Sequence, residues 1–159
     1  MTVINYLKGD ATSPQTKGNK IIGHVCNDIG GWGKGFVVAI SKRWKEPEKH
    51  FREWYKNRTD NNFALGEIRI VQVSDDTHVA NMIGQKGIRR GKSGPKPVRY
   101  EAISKCLEQL AEKALEMKAS VHMPRIGCGL AGGDWDKIEP MIIQSLSSKG
   151  IDVYIYDFG

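Results

Sequence analysis

Two glycine-rich stretches constrain this chain more than anything else in it. Gly30, Gly31, Gly33 and Gly35 fill four of six consecutive positions, and Gly127, Gly129, Gly132 and Gly133 fill four of seven. Each stretch follows a short apolar run and precedes a segment with helical periodicity. Glycine lets backbone N–H groups turn inward and approach a phosphate without Cβ clashes. A helix starting just behind such a loop aims its positive end at the same anion. Neither GxxxxGK[ST] nor a GxGxxG fingerprint occurs in the first loop, so the usual nucleotide loops are excluded there. One such loop is as compatible with a plain tight turn as with a ligand. Two at neighbouring strand ends would form a pincer suited to a diphosphate, with two unrelated turns as the competing explanation.

The order of elements places both loops. Residues 2–7 (TVINYL) alternate as a strand, and 19–25 (NKIIGHV) form the apolar run of a strand covered on both faces. Val37, Ile40 and Trp44 recur at helical spacing over 36–44. Pro47 starts a second helix carrying Phe51, Trp54 and Tyr55 on one face. Strands over 67–73 and 78–83 flank a tight connection. A long amphipathic helix runs through Tyr100, Ile103, Leu107, Leu110 and Leu115. Residues 120–123 (SVHM) form a strand, Trp135, Ile138, Ile142 and Leu146 mark a last helix closed by Gly150, and 152–158 is the terminal strand. Strands alternating with helices predict an α/β fold with a mixed, largely parallel sheet and helices on both faces. Ligands in such sheets sit at the carboxyl ends of strands. With no repeat or linker, the expectation is one domain over 1–159.

Charge and composition narrow the partners. Lys and Arg number 24 against 18 Asp and Glu, a net charge of +6, which favours anionic partners or merely solubility. Hydrophobic content of 40% with 26% charged residues is that of a globular protein. No apolar run of about 18 residues exists, so no membrane association is expected. The first residues do not read as a secretory signal. Cys26, Cys106 and Cys128 are widely spaced, which argues against a disulfide framework and suggests a cytoplasmic location. No cluster at metal-ligand spacing appears, so neither metal nor cofactor is expected. The stretch 84–97, with Lys86, Arg89, Arg90, Lys92 and Lys96, is a solvated loop or a clamp for an outer phosphate. A nucleic-acid module is a rival on charge, but it lacks the interleaved aromatics of single-strand binders. Of the four tryptophans, Trp32 alone falls in a ligand loop and is a candidate for base stacking.

LKGD at 7–10, HVCN followed by GGWGKG, and SVHMPRIGCGLAGG are similar to macrodomain motifs, and the resemblance runs from Leu7 to the terminal YIYDF. The chain resembles the branch holding terminal ADP-ribose protein glycohydrolases, ADP-ribose-1''-phosphate phosphatases and chromatin-remodeller macrodomains. The resemblance implies a three-layer α/β/α fold and a cleft for ADP-ribose or a derivative, with an ADP-ribosylated protein as partner. By motif, Asp10 would accept from the adenine amino group, the alternative being a turn residue. Gly31, Trp32, Gly33, Lys34, Gly35 and Phe36 would wrap the distal ribose and diphosphate. Gly127, Cys128, Gly129 and Leu130 would supply further phosphate contacts, and Tyr156 or Phe158, on one side of the last strand, would pack on adenine. Asn27 would stand beside the distal ribose, or cap an Asx turn.

Catalysis departs from the glycohydrolase pattern, because Gln85 and Ala131 occupy the positions of its lysine and aspartate, with Lys86 and Asp134 displaced. HVCN is nearer the phosphatases. The candidates for proton transfer or water orientation are therefore Asn27, His24 and Asp134. A buried strand histidine and a helix N-cap are the alternatives for the last two. Cys128 has no partner base in the sequence to make it a nucleophile. The expected function is ADP-ribose binding with hydrolysis of a 1''-phosphate or a protein-linked ADP-ribosyl ester. A non-catalytic reader of ADP-ribosylated protein or poly(ADP-ribose) is the alternative.

Overall fold

The structure, a computed structural model, describes residues 3–88 and 94–158. In chain order the elements are β1 (Ile4–Lys8), β2 (Lys20–Asn27), α1 (Phe36–Arg43), α2 (Glu46–Lys56), β3 (Ile68–Gln72), β4 (Thr77–Gln85), α3 (Tyr100–Met117), β5 (Ser120–Met123), α4 (Trp135–Ser145) and β6 (Val153–Asp157). Six strands form one sheet in the order β1-β6-β5-β2-β4-β3. All neighbours are parallel except the β3–β4 hairpin. The predicted mixed, largely parallel sheet is the observed one.

Helices cover both faces, which explains the unbroken apolar run in β2. Ile21 packs into the layer formed by α3 and α4, whereas Ile22 and Cys26 pack with Val37, Ile40, Phe51 and Trp54 from α1 and α2. Successive side chains of a strand point to opposite faces, so a strand covered twice cannot alternate apolar with polar. The chain leaves β2 towards β4 and β3, and returns on the other side through β5 and β6. The order therefore reverses between β2 and β5, and crevices open at such reversals. Both glycine loops leave from these two adjoining strands.

Several local expectations shift. Gly150 (φ 80°) caps a 3-10 turn at Ser147–Lys149 that follows α4, not α4 itself. Strand β6 ends at Asp157, so Phe158 lies beyond it, 87% exposed, while Tyr156 is buried. Trp32 is also buried, because its loop folds back onto α2. Arg89, Arg90 and Lys92 of the proposed basic clamp lie outside the described residues. No helix among the described residues is long and apolar enough to cross a membrane.

Candidate functional site

Asn27, the last residue of β2, organises the first loop. Its Oδ1 accepts from the N–H groups of Ile29 (3.0 Å) and Gly31 (2.9 Å), and its Nδ2 donates to the Gly31 carbonyl (2.9 Å). Asp28 Oδ1 accepts from Gly87 N–H at 2.8 Å, which fastens this loop to the segment after β4. Gly30 sits at φ 76°, with no room for a Cβ against the Tyr55 ring of α2. Gly35, at φ 81°, opens α1, whose first turn lies in the cleft wall. Gly33 is different: a Cβ there would meet nothing within 4 Å.

The second loop closes on itself. Gly133 N–H donates to the Gly127 carbonyl at 2.7 Å, and a Cβ at Gly133 would fall 2.4 Å from that oxygen. Those two glycines are required by the loop's own packing. Gly129, like Gly33, faces open space. Asp134 follows as the N-cap of α4, its side chain accepting from Asp136 N–H at 2.9 Å.

Between the loops lies a cleft of about 760 Å³, within the range of small-molecule sites. Asn27, Gly31, Gly33, Gly35, Phe36, Gly127, Gly129 and Leu130 line it, as does the exposed Lys34. Gln85, Ala131, Ile88 and Arg125 also line it. Its described lining contains no Asp or Glu; the charged members are Lys34 and Arg125. Arg125 escaped sequence reasoning, since nothing about its neighbours in the chain shows that the side chain would be held at a cleft. A second hollow, about 620 Å³, is lined by Leu65 and the start of α3 with Glu101 and Lys105.

Several candidate residues are held by partners within the fold. His24 is on the cleft wall but 1% exposed, with Nε2 bonded to Asn81 Oδ1 at 2.6 Å. Burial pushes its pKa down to about 4, against the opposing Asn81 bond, so the ring is neutral near pH 7 and serves the core. Asp134 is occupied as a cap and does not line the cleft. Cys128 packs against the α3–α4 core, and burial raises its thiol pKa despite the Arg125 guanidinium nearby, the opposite of an activated nucleophile. Trp32 donates through Nε1 to Ser41 Oγ and packs edge-on to His24 (5.3 Å), leaving no free face for a base. Tyr156 is tied through its hydroxyl to His122 Nδ1 at 2.8 Å, and neither it nor Phe158 lines the cleft.

Asp10 acts locally as a turn residue. Oδ1 accepts from Thr12 N–H and Oγ1, and Oδ2 lies 3.3 Å from Arg43 Nη2. Partial burial would raise its pKa, but the Thr12 and Arg43 contacts outweigh it and the carboxyl stays below its ordinary value.

The fold is a doubly covered α/β sheet whose adjoining strand ends carry two glycine loops over a cleft with no Asp or Glu among its described lining residues. The chain belongs to the Macro domain family, whose model matches residues 24–142. Among solved structures it is similar to a protein of unknown function from Bacteroides thetaiotaomicron (52% identity, TM-score 0.94, 98% of each chain). It is likewise similar to a macrodomain protein from Streptomyces coelicolor (53% identity, TM-score 0.88, 98% of this chain and 99% of that one). Curated relatives include the Chromodomain-helicase-DNA-binding protein 1-like of Mus musculus, 32% identical over 99% of this chain. The chain spans only 18% of that protein's length. An ADP-ribose 1''-phosphate phosphatase of Lodderomyces elongisporus is 24% identical, with 97% of this chain and 99% of that protein matched. The ADP-ribose glycohydrolase OARD1 of Homo sapiens is 25% identical over 96% of this chain and 90% of that protein.

Proposed function

We propose that the chain binds ADP-ribose, with the diphosphate between the two glycine loops, and hydrolyses an ADP-ribose derivative at the distal-ribose end. The substrate is a 1''-phosphate or an ADP-ribosyl ester on protein. One observation carries this: Gly33 and Gly129, on facing loops at the ends of β2 and β5, each leave open space where a Cβ would stand. No neighbouring atom demands a glycine at either position, whereas a phosphate drawn against the backbone does. The names of the phosphatase and glycohydrolase relatives support the ligand and the reaction type. Without a carboxylate on the described cleft wall, turnover rests on positioning and on loop N–H groups aimed at developing charge, with Asn27 holding the loop in shape.

Calorimetry with ADP-ribose and AMP tests the binding. ADP-ribose is expected at micromolar affinity, about −7 to −9 kcal/mol, with AMP weaker for want of the second phosphate and distal ribose. Equal affinities would overturn the two-loop site. Turnover is then assayed on ADP-ribose-1''-phosphate and on ester-linked ADP-ribosylated protein. A second reading, a non-catalytic reader of ADP-ribosylated protein, is favoured by Gln85 and Ala131 on the cleft wall and by the neutral, buried His24. It takes over if binding is found without turnover on either substrate.

A further inference from the structure

Arg125 is the second residue of the loop after β5, and three other elements converge on it. Its Nε and Nη2 donate to Oδ1 and Oδ2 of Asp157, at the end of β6, at 2.7 and 3.0 Å. Its Cζ lies 5.2 Å from the centroid of Tyr6 on β1 and 5.1 Å from that of Trp135 on α4. The two rings meet nearly edge to face, 6.4 Å apart. Trp135 Nε1 donates to Tyr6 Oη at 3.1 Å, and Tyr6 Oη donates to Glu139 of α4. An exposed arginine ordinarily samples many rotamers; this one, 38% exposed, is fixed by a carboxylate fork and by aromatic faces.

Stability alone is a poor account of that arrangement. An ion pair this exposed contributes about 0–1 kcal/mol, and the strands it would join are already paired from Val121↔Val153 to Met123↔Ile155. Meanwhile Arg125 lines the cleft, whose described lining holds no Asp or Glu, and its Nη1 makes no hydrogen bond among the described residues. A planar guanidinium with two nitrogens anchored and one free is suited to a phosphate oxygen.

We propose that Arg125 is a pre-oriented anion-binding residue, giving Nη1 to a phosphate oxygen of the ligand in the cleft, with Asp157, Tyr6 and Trp135 as its positioning groups. The inference rests on the ADP-ribose reading for the identity of the ligand, and on geometry for the contact. It places the ligand's phosphates towards the β5–β6 side of the cleft. Lys34, on the β2 side and without a partner among the described residues, is the other cation among the described lining residues of the cleft.

The test is calorimetry on wild type, Arg125→Gln and Arg125→Lys with ADP-ribose, and with inorganic pyrophosphate, at low salt and at 1 M KCl. Removing a charge-assisted hydrogen bond should weaken ADP-ribose binding by about ten- to a hundred-fold at low salt. The gap should narrow at high salt through screening. Arg125→Lys should recover part of the affinity and most of the salt dependence, because it keeps the charge and loses the fork. A melting temperature near that of wild type excludes a folding defect. Unchanged ADP-ribose affinity in Arg125→Gln overturns the inference and leaves the ADP-ribose reading standing. Equal loss in both variants with no salt dependence makes Arg125 structural, and also overturns it. If wild type ignores ADP-ribose yet binds pyrophosphate in an Arg125-dependent way, the ligand identity fails and the anion site stands. Binding of neither sinks both.

Discussion

Leu130 Cδ1 stands 3.6 Å from the position a Cβ would take at Gly35, so the loop after β5 reaches across the cleft to the N-cap of α1. Leu130 is nonetheless 58% exposed, so the contact spans the mouth of the cleft and not the core. The two loops are thus opposite walls of one site, each bearing one glycine with open space before it.

Under the proposed function, that pairing separates glycines that admit a ligand from glycines that the packing requires. Gly33→Ala and Gly129→Ala should change stability by less than about 0.5 kcal/mol, since neither residue has positive φ and neither Cβ meets an atom. Both should weaken ADP-ribose binding at least about ten-fold, a loss of roughly 1.4 kcal/mol. Gly133→Ala should instead destabilise by about 1–3 kcal/mol, because its Cβ strikes the Gly127 carbonyl. Melting curves and calorimetry on the three variants check this; normal binding by Gly33→Ala would make its loop a plain turn.

Asn27→Ala removes an acceptor for two loop N–H groups and a donor to Gly31 at once. Affinity for ADP-ribose and turnover should therefore fall together, each by about ten-fold or more, since each hydrogen bond contributes about 1 kcal/mol. Asn27→Asp keeps the acceptor but turns a carboxylate oxygen towards the Gly31 carbonyl, and should rescue little. A variant that loses turnover alone would point to direct chemistry by the amide.

Asp134→Ala is the contrasting case. Its role as N-cap predicts a loss of about 1 kcal/mol in stability and unchanged kcat and KM. A large drop in kcat with an unchanged melting temperature would return the carboxylate to the catalytic set.

Two buried histidines set the acid limb of stability. Burial lowers His24 to about 4, and burial with the Lys20 charge does the same to His122, against about 6.5 unfolded. Both rings are neutral in the fold. Their contribution is fully present above pH 6.5 and is lost as pH falls from 6.5 towards 4, where unfolding takes up about two protons. The lowered carboxyls of Asp10, Asp76 and Asp157 act in the same direction but below about pH 4. Melting temperature should hold between pH 7 and 8 and drop steadily below 6.5. Ring titration followed by NMR checks the assignment; a His24 midpoint near 6.5 would contradict its burial and reopen a proton-shuttle role.

Much of the architecture is written in local pattern. The apolar run of β2, the 3–4 spacing in α3, Pro47 in the first turn of α2 and the two glycine loops each identify an element from residues a few positions apart. The same pattern implied that the loops leave adjoining strands, as β2 and β5 do. The expectation that Gln85 and Ala131 stand where the glycohydrolases place a lysine and an aspartate also comes from sequence alone, because identity at a motif position needs no coordinates. Whether a polar side chain is free for a ligand depends on partners from elsewhere in the chain, and those appear only on folding. Asn81 claims His24, His122 claims Tyr156, and Ser41 claims the Trp32 indole. Arg125 is the converse case: its local sequence shows only an arginine within a loop. Strands β1 and β6 and helix α4 must come together before Asp157, Tyr6 and Trp135 can hold the guanidinium still. Short-range periodicity determined where the backbone extends or coils. Tertiary packing alone decided which side chains were spent on the core and which were left to face the cleft.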